Sequence, residues 1–305
     1  MAFHEHAVRV FAPATSANLG PGYDAFGLAL GHYDEVTAAV TGAGLAIELA
    51  GTGAEELARD ESHLVVRAMR ACFDRLGEQP PGLRLRCVNA IPHGRGLGSS
   101  AAAIVSGIEL ARSLCVDGRQ RLDDAGALAL ATELEGHPDN VAACLLGGLT
   151  VAWLQDGVGR AVRAEPAGVR PVLFVPAEQS ATKAARALLP ARVPHADAAF
   201  NAGRAALLVL ALTGRPELLL TATEDRLHQD YRAAGMPASA GLVAELRSHG
   251  VAAVISGAGS SVLALARPEQ AEAVAARCPV GWECLVLAPA GGARVVALPA
   301  GDFEV

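Results

Sequence analysis

The chain is short of lysine, and that shortage decides several questions at once. Lys183 is the single lysine among 25 basic residues in 305 positions. A Walker A loop and the ATP-binding strand of a protein kinase each require a lysine at a set place, and Lys183 stands in neither context. Aromatic residues are scarce too, at 4%. Cysteines 72, 87, 115, 144, 278 and 284 contain no C-x-x-C, and most lie in apolar runs. They read as reduced core thiols of a cytoplasmic protein, not as disulfide or zinc ligands. Excess positive charge is missing: the formal net charge is −7. A general nucleic-acid binder needs a basic face, so no nucleic-acid partner is expected. The apolar run Ala205–Leu212 is far shorter than the ~20 residues of a membrane span and reads as a buried helix. The N-terminus carries acid and no apolar leader core, so no secretory signal and no membrane partner are expected.

What is present is ample apolar content, 51% against 19% charged residues, enough for a sizeable core over one large domain or two ordinary ones. Alternation marks strands near 8–12, 35–40 and, most clearly, at Leu83, Leu85 and Cys87. Helical spacing of Ile104, Ile108, Ala111 and Cys115 predicts a helix over residues 99–115, and a second covers 123–135. Strands follow at 149–154 and 172–175, with a turn-rich stretch over 155–168 between them. That stretch is the candidate boundary, dividing the chain into 1–163 and 164–305. Helices are then expected near 180–188, 197–213, 216–228 and 239–248, and strands at 251–255, 262–266, 284–287 and 294–298. The mixture is an α+β architecture.

Gly94-Arg95-Gly96-Leu97-Gly98-Ser99-Ser100 leads directly into the helix at 99. Glycines let a ligand approach the backbone, and a helix start exposes unpaired N–H groups and a positive dipole end. Together they form an anion site suited to phosphates. Each dipole contact is worth only about 0.3–1 kcal/mol, so a polyphosphate must gather many N–H groups. Ser99 or Ser100 can offer a hydroxyl to Mg²⁺. The spacing G-x-G-x-G is not the Rossmann fingerprint, and G-x-S-x-G, the hydrolase elbow, is missing.

Three separated motifs join this reading: Ala12–Leu30 (APATSANLGPGYDAFGLAL), Pro92–Ala102 (PHGRGLGSSAA) and Ser256–Ser261 (SGAGSS). Together they resemble the GHMP kinases, the family of galactokinase, homoserine kinase, mevalonate kinase and phosphomevalonate kinase. The first motif and Gly136–Val141 (GHPDNV) are similar to the homoserine kinase branch. The resemblance implies an N-terminal domain like ribosomal protein S5 domain 2, a C-terminal ferredoxin-like domain, and a site in the cleft between them. It implies ATP held by Pro92, Gly94, Arg95, Gly96, Leu97, Gly98, Ser99, Ser100 and Ala101, with His63 near the adenine. Mg²⁺ is expected on Ser99 and Glu133, with Glu135 a near rival. L-homoserine is the implied acceptor, on Asn18, Asp24, His137, Asn140, Arg186 and Arg232; Arg226 replaces Arg232 if the helix register differs. Asn18 and Asn140 are the residues expected at the reacting hydroxyl. A homodimer is the assembly that the family suggests.

Each residue also has a plainer reading. Asp24 follows Gly20-Pro21-Gly22 and could simply complete a turn. His137 could be a loop histidine, and Arg186 and Arg232 could be solvated helix charges. Asn140 stands where mevalonate kinase places an aspartate, with Asp139 beside it, and an asparagine is not a base. Phosphoryl transfer tolerates that loss, because its loose transition state asks mainly for position and charge neutralisation. Competing expectations are a mevalonate-pathway kinase, whose acceptor lacks the ammonium that Asp24 would meet, and a non-catalytic relative, which would have lost the loop glycines.

Overall fold

A computed structural model describes residues 2–177, 182–299 and 303, with the backbone alone at 182–184. The first half contains β1 (Val8–Ala17), β2 (Phe26–Thr41), β3 (Gly44–Gly51), α1 (Leu64–Leu76), β4 (Gly82–Asn89), α2 (Ser99–Leu114), α3 (Gly118–Arg121), α4 (Asp124–Glu135), α5 (Asp139–Leu146), β5 (Leu149–Gln155) and β6 (Val158–Ala164). The second half contains β7 (Arg170–Val175), α6 (Thr182–Ala187), α7 (His195–Thr213), α8 (Leu219–Ala222), α9 (Gln229–Arg232), α10 (Pro237–Ser248), β8 (Ala253–Ile255), β9 (Val262–Ala266), α11 (Ala271–Ala275), β10 (Glu283–Val286) and β11 (Arg294–Ala297).

Alternation in β1 buries Val8, Val10 and Ala12 while Arg9 and Phe11 stay half-buried; from Ala12 onward every residue is buried, because the strand is then covered on both faces. Pro13 lies at the register shift between β1 and β2, where a missing N–H is tolerated. The first sheet runs β11-β1-β2-β4-β3, with the β5–β6 hairpin attached to the start of β2. Only β3 and β4 run parallel, joined by α1. The second sheet runs β10-β7-β9-β8, all antiparallel. Its chain order of strand, helix, two strands, helix and strand is ferredoxin-like.

Helix α2 is the axle of the first half. Twelve of its residues are buried, against β1, α1, α4 and α5. Glycine at 107 permits the contact with α1, since a Cβ there would stand 2.5 Å from the Val65 carbonyl oxygen. The buried Glu109 carboxylate is paired by Arg112 and Arg119, and Arg112 reaches Asp124 at 2.7 Å. The larger hydrophobic cluster continues from this sheet to Leu173, Leu208, Leu212, Val254 and Leu263 of the second half. A smaller one lies under α10 and α11 on the other face of the second sheet.

Several expectations change. The turn-rich stretch over 155–168 is mostly strand β6, reversed from β5 at Asp156 and Gly157, both at positive φ. That pair is the turn residue set of a tight hairpin. The helix expected over 216–228 ends at Ala222, because Asp225 turns the chain and accepts the N–H groups of Leu227, His228 and Gln229 at the start of α9. The last strand, expected with the second half, instead pairs β11 with β1. Helix α7 is covered on one face only: Leu208, Ala211 and Leu212 are buried and Leu210 is 58% exposed. By length and composition α7 would also pass as a membrane span; here it packs on the core through that one face. All six cysteines are free, and burial pushes the Cys72 and Cys87 thiols up to about 12.

Gly107→Ala should lower unfolding stability by about 1–3 kcal/mol, the usual cost of overpacking, and leave acceptor KM unchanged. Urea denaturation midpoints check this, and an unaltered midpoint would refute the tight α1–α2 contact.

Candidate active site

The loop before α2 adopts positive φ at Gly94, Gly96 and Gly98. Two of these positions are closed to any side chain. A Cβ on Gly96 would stand 2.1 Å from the Ser256 carbonyl oxygen, and one on Gly98 would stand 1.9 Å from Thr15 Oγ1. The loop is therefore clamped between the first and third motifs. Thr15 donates its N–H to the Leu97 carbonyl at 3.0 Å, and Ser261 donates its own to the Arg95 carbonyl at 3.1 Å. The Ser256 hydroxyl bonds the Gly96 carbonyl at 2.7 Å and the Ser16 hydroxyl at 2.8 Å. Gly98 precedes α2 without a side-chain cap, so the first N–H groups of the helix remain for an anion.

Beside the loop lies a cavity of about 250 Å³ lined by Asn18, Asp24, Gly96, Gly98, Ser99, Ser100, Glu135, His137, Asp139, Asn140, Arg186 and Arg232, among others. All six expected acceptor residues meet here. Asn18, at φ 69°, donates to the Gly257 carbonyl at 2.8 Å and accepts the Asp24 N–H at 2.9 Å. Asp24 and Arg186 form a two-pronged ion pair, both contacts 2.9 Å. That carboxylate raises the Arg186 guanidinium pKa, while burial lowers that of Arg232. Arg232 is 2% exposed. Its Nε donates to the Ala185 carbonyl at 3.3 Å and its Nη1 to His228 Nδ1 at 3.2 Å. Burial holds His228 below its usual range, and its Nε2 meets the Gly20 carbonyl at 2.8 Å, so the ring is neutral with Nε2 protonated. Arg226 instead pairs with Asp197 at 3.1 Å and lies over the Phe200 ring, away from the cavity.

His137 Nδ1 donates to Asp139 at 2.7 Å, which raises the imidazole pKa. The same Asp139 oxygen accepts the Asn140 N–H at 2.7 Å. Asn140 Oδ1 accepts the Thr15 hydroxyl at 2.8 Å. Asp139 Oδ1 thus holds both neighbours, and Asn140 is held against the loop.

Two expected site residues point away from the cavity. Glu133 turns outward to Arg75, at 2.6 Å with its side chain 63% exposed. Glu135 turns inward to the Ser100 hydroxyl, at 2.6 Å. The reason is helical phase: two residues apart on α4 lie on nearly opposite faces. Burial raises the Glu135 pKa; the oxygen atoms of Ser100 and Glu135, side by side, are the donor type that suits a hard cation. Among the described residues no group of three or more His, Cys, Asp or Glu side chains that could hold a metal ion occurs. Arg95 was expected on phosphate; its guanidinium turns away to the carbonyls of Pro176 and Ala177. Pro92 and Ala101 are buried supports of the loop.

A second cavity, about 300 Å³, shares Ser99 and Ser100 with the first and extends to His63, Val36, Leu57, Ala58, Val65, Asp34, Asn89 and His93. His63 Nδ1 is buried there without a hydrogen-bond partner, and burial lowers its pKa. Of the residues that hold this arrangement, Thr15, Ser256, His228 and Asp139 were not singled out beforehand as supports. Thr15 and Ser256 lie inside the motifs, which was the available signal.

A glycine-lined anion cradle with one cavity on each side defines a small-molecule kinase. The model of the GHMP kinases N terminal domain matches residues 63–148 and that of the GHMP kinases C terminal matches residues 207–280. The chain is 61% identical over 282 residues to homoserine kinase of Streptomyces coelicolor, covering 92% of this chain and 91% of that one. It is 59% identical over 301 residues to homoserine kinase of Streptomyces avermitilis, covering 98% and 99%. Among solved structures, homoserine kinase from Cytophaga hutchinsonii superposes with a TM-score of 0.83 at 27% identity, covering 95% of this chain and 97% of that one. The chain belongs to the homoserine kinase family of the GHMP kinases.

Gly98→Ala should weaken nucleotide binding by about 1.5–3 kcal/mol, the value of a lost charge-assisted hydrogen bond, because the loop must move off Thr15. Calorimetric titration with an ATP analogue measures it; unchanged affinity would mean that the loop does not bind phosphate.

Proposed function

We propose that this enzyme transfers the γ-phosphoryl group of ATP to the hydroxyl of L-homoserine, giving O-phospho-L-homoserine for threonine biosynthesis. One observation carries the reading: a carboxylate and two arginines line the same cavity as the phosphate loop. Homoserine is a zwitterion with a primary alcohol. Asp24 is the partner for its ammonium. Arg186 and Arg232 are the partners for its carboxylate, since a planar guanidinium meets a carboxylate in two places. A mevalonate-type acceptor has no ammonium and would offer Asp24 no group to meet.

The triphosphate lies along Gly94–Ser100, with the nucleoside in the cavity beyond Ser99 and Ser100, where His63 has a ring nitrogen to offer. Mg²⁺, held by the Ser100 hydroxyl and Glu135 with Ser99 adjacent, would supply charge neutralisation at the transferring group. Asn18, His137 and Asn140 orient the acceptor. Asn140 has no basic atom, and Asp139 Oδ1 is taken by His137 and the Asn140 N–H; the reading is that alignment and electrostatics carry the reaction, not a dedicated base. The working form is proposed to be a cytoplasmic homodimer; sedimentation showing only the 31.1 kDa monomer would remove that part.

Arg232→Ala should raise KM for homoserine about 10- to 150-fold, equivalent to ~1.5–3 kcal/mol for a hydrogen bond to a charged group, with KM for ATP near wild type. Glu135→Gln should cut turnover at limiting Mg²⁺ by at least about tenfold, whereas Glu133→Gln should stay within about twofold. Equal effects would reverse the choice between the two glutamates. An ADP-release assay across homoserine, mevalonate, galactose and serine tests the substrate directly; release with mevalonate and none with homoserine would overturn the reading.

A further inference from the structure

His228 is fully buried and stands outside the lining of the acceptor cavity, yet it touches two parts of the site. Its Nε2 meets the Gly20 carbonyl at 2.8 Å, and its Nδ1 meets Arg232 Nη1 at 3.2 Å. These neighbours allow one form of the ring. A carbonyl only accepts, so Nε2 carries the hydrogen. A guanidinium only donates, so Nδ1 is bare.

Each neighbour belongs to a different wall of the cavity. Gly20 stands in the turn that leads to Asp24, and Asn201 fixes the next carbonyl of that turn, Pro21, at 2.7 Å. Arg232 is the buried arginine of the cavity. Besides the imidazole it meets the carbonyls of Ala185 at 3.3 Å and Gly257 at 3.5 Å. Other charged and titratable groups face the ring as well. Asp225 approaches Nε2 at 3.6 Å from the turn before α9. Tyr23 lies 5.3 Å away, ring to ring, with Arg232 at 5.4 Å and Arg186 at 5.7 Å over its own ring. Asp24 acts from the first motif. Burial outweighs the two carboxylates and holds the imidazole below its usual range.

We propose that His228 is a positioning residue: its neutral, Nε2-protonated ring aims Arg232 at the carboxylate of the acceptor and ties that arginine to the turn carrying Asp24. The inference rests on the kinase reading above. A proton added at Nδ1 would set N–H against N–H and cation against cation across 3.2 Å, and Arg232 would lose that acceptor. The grip on the acceptor is therefore present while the ring is neutral and is lost as pH falls and the ring takes up its proton.

The test is KM for L-homoserine and for ATP from about pH 7 to pH 5, on wild type and on His228→Ala, His228→Asn and His228→Gln. In asparagine the amide oxygen stands where Nδ1 stood, so Arg232 keeps an acceptor that takes up no proton. In glutamine the amide nitrogen stands where Nε2 stood, so the bond to Gly20 is the one retained. At the upper pH the alanine and glutamine variants should raise KM for homoserine at least about tenfold, with KM for ATP within about twofold and the asparagine variant within about threefold of wild type. On acidification wild type should weaken by a further tenfold or so, about the value of one charge-assisted bond, and the asparagine variant should not. His137, raised by Asp139, titrates at the same cavity and adds a step common to every form. An asparagine variant as impaired as the alanine one, or one with the acid response of wild type, overturns the proposal. So does a parallel rise in KM for ATP, the mark of a folding defect. The ring itself is read without turnover: nitrogen NMR of histidine-labelled enzyme should show a neutral, Nε2-protonated imidazole whose signal is missing from the asparagine variant, and an Nδ1-protonated or charged ring there overturns the assignment. If the enzyme releases ADP with another acceptor and not with homoserine, the substrate assignment fails separately, and the same comparison with that acceptor decides the role of His228.

Discussion

The close approach at Gly96, to backbone, and at Gly98, to the Thr15 side chain, is the constraint on which the site depends. Two stretches far apart in sequence, at Thr15 and at Ser256–Gly259, reach the loop at distances that leave no room for one methyl group. The contacts are hydrogen bonds and steric limits, not apolar packing, so they set direction as well as distance. They turn the start of α2 toward the cavity and bring Asn18, Gly257 and the loop into a single frame. The buried shaft of α2 then ties that frame to the core. Loops are usually the soft parts of a fold; this one is stiffened because each neighbour consumes one of its carbonyls.

Charge is arranged with similar economy in the acceptor cavity. Asp24 and Arg186 are each partly exposed and satisfy one another, so neither faces a dry interior alone. Arg232 is buried and held by a carbonyl and a neutral histidine, neither of which cancels its charge. A zwitterion entering here trades one ion pair for two. A neutral alcohol gains nothing comparable, which is a source of selectivity that needs no steric gate.

Much of this was legible in the sequence, and what was not has identifiable causes. The alternation of Leu83, Leu85 and Cys87 and the helical recurrence from Ile104 to Cys115 reappear as β4 and α2, because each buries one face or nearly all of itself. Strand β3 was missed since most of its residues stay half-exposed or exposed, and the pattern that marks a strand is weak there. Helix α5 was hidden by its short length and by Pro138 just before it. Asp156-Gly157 is a strong hairpin signal, yet the turn residues spread over 155–168 made the whole stretch read as a boundary. Glutamates two residues apart can be separated only when the phase of α4 is known, and one sequence leaves that phase open. The turn of Arg95 toward Pro176 has no local signature at all, since its partners are main-chain carbonyls of another sheet.

The pairing of β11 with β1 bears on how the chain is made. Until the last strand arrives, β1 carries an open edge, with unpaired N–H and C=O groups along Val8–Phe11. On the ribosome that edge waits until residues 294–297 emerge, about 280 residues later. A chain halted before Arg294 would present a sticky strand to its neighbours. Arg9, on the paired segment of β1, places charge where such an edge would otherwise invite aggregation.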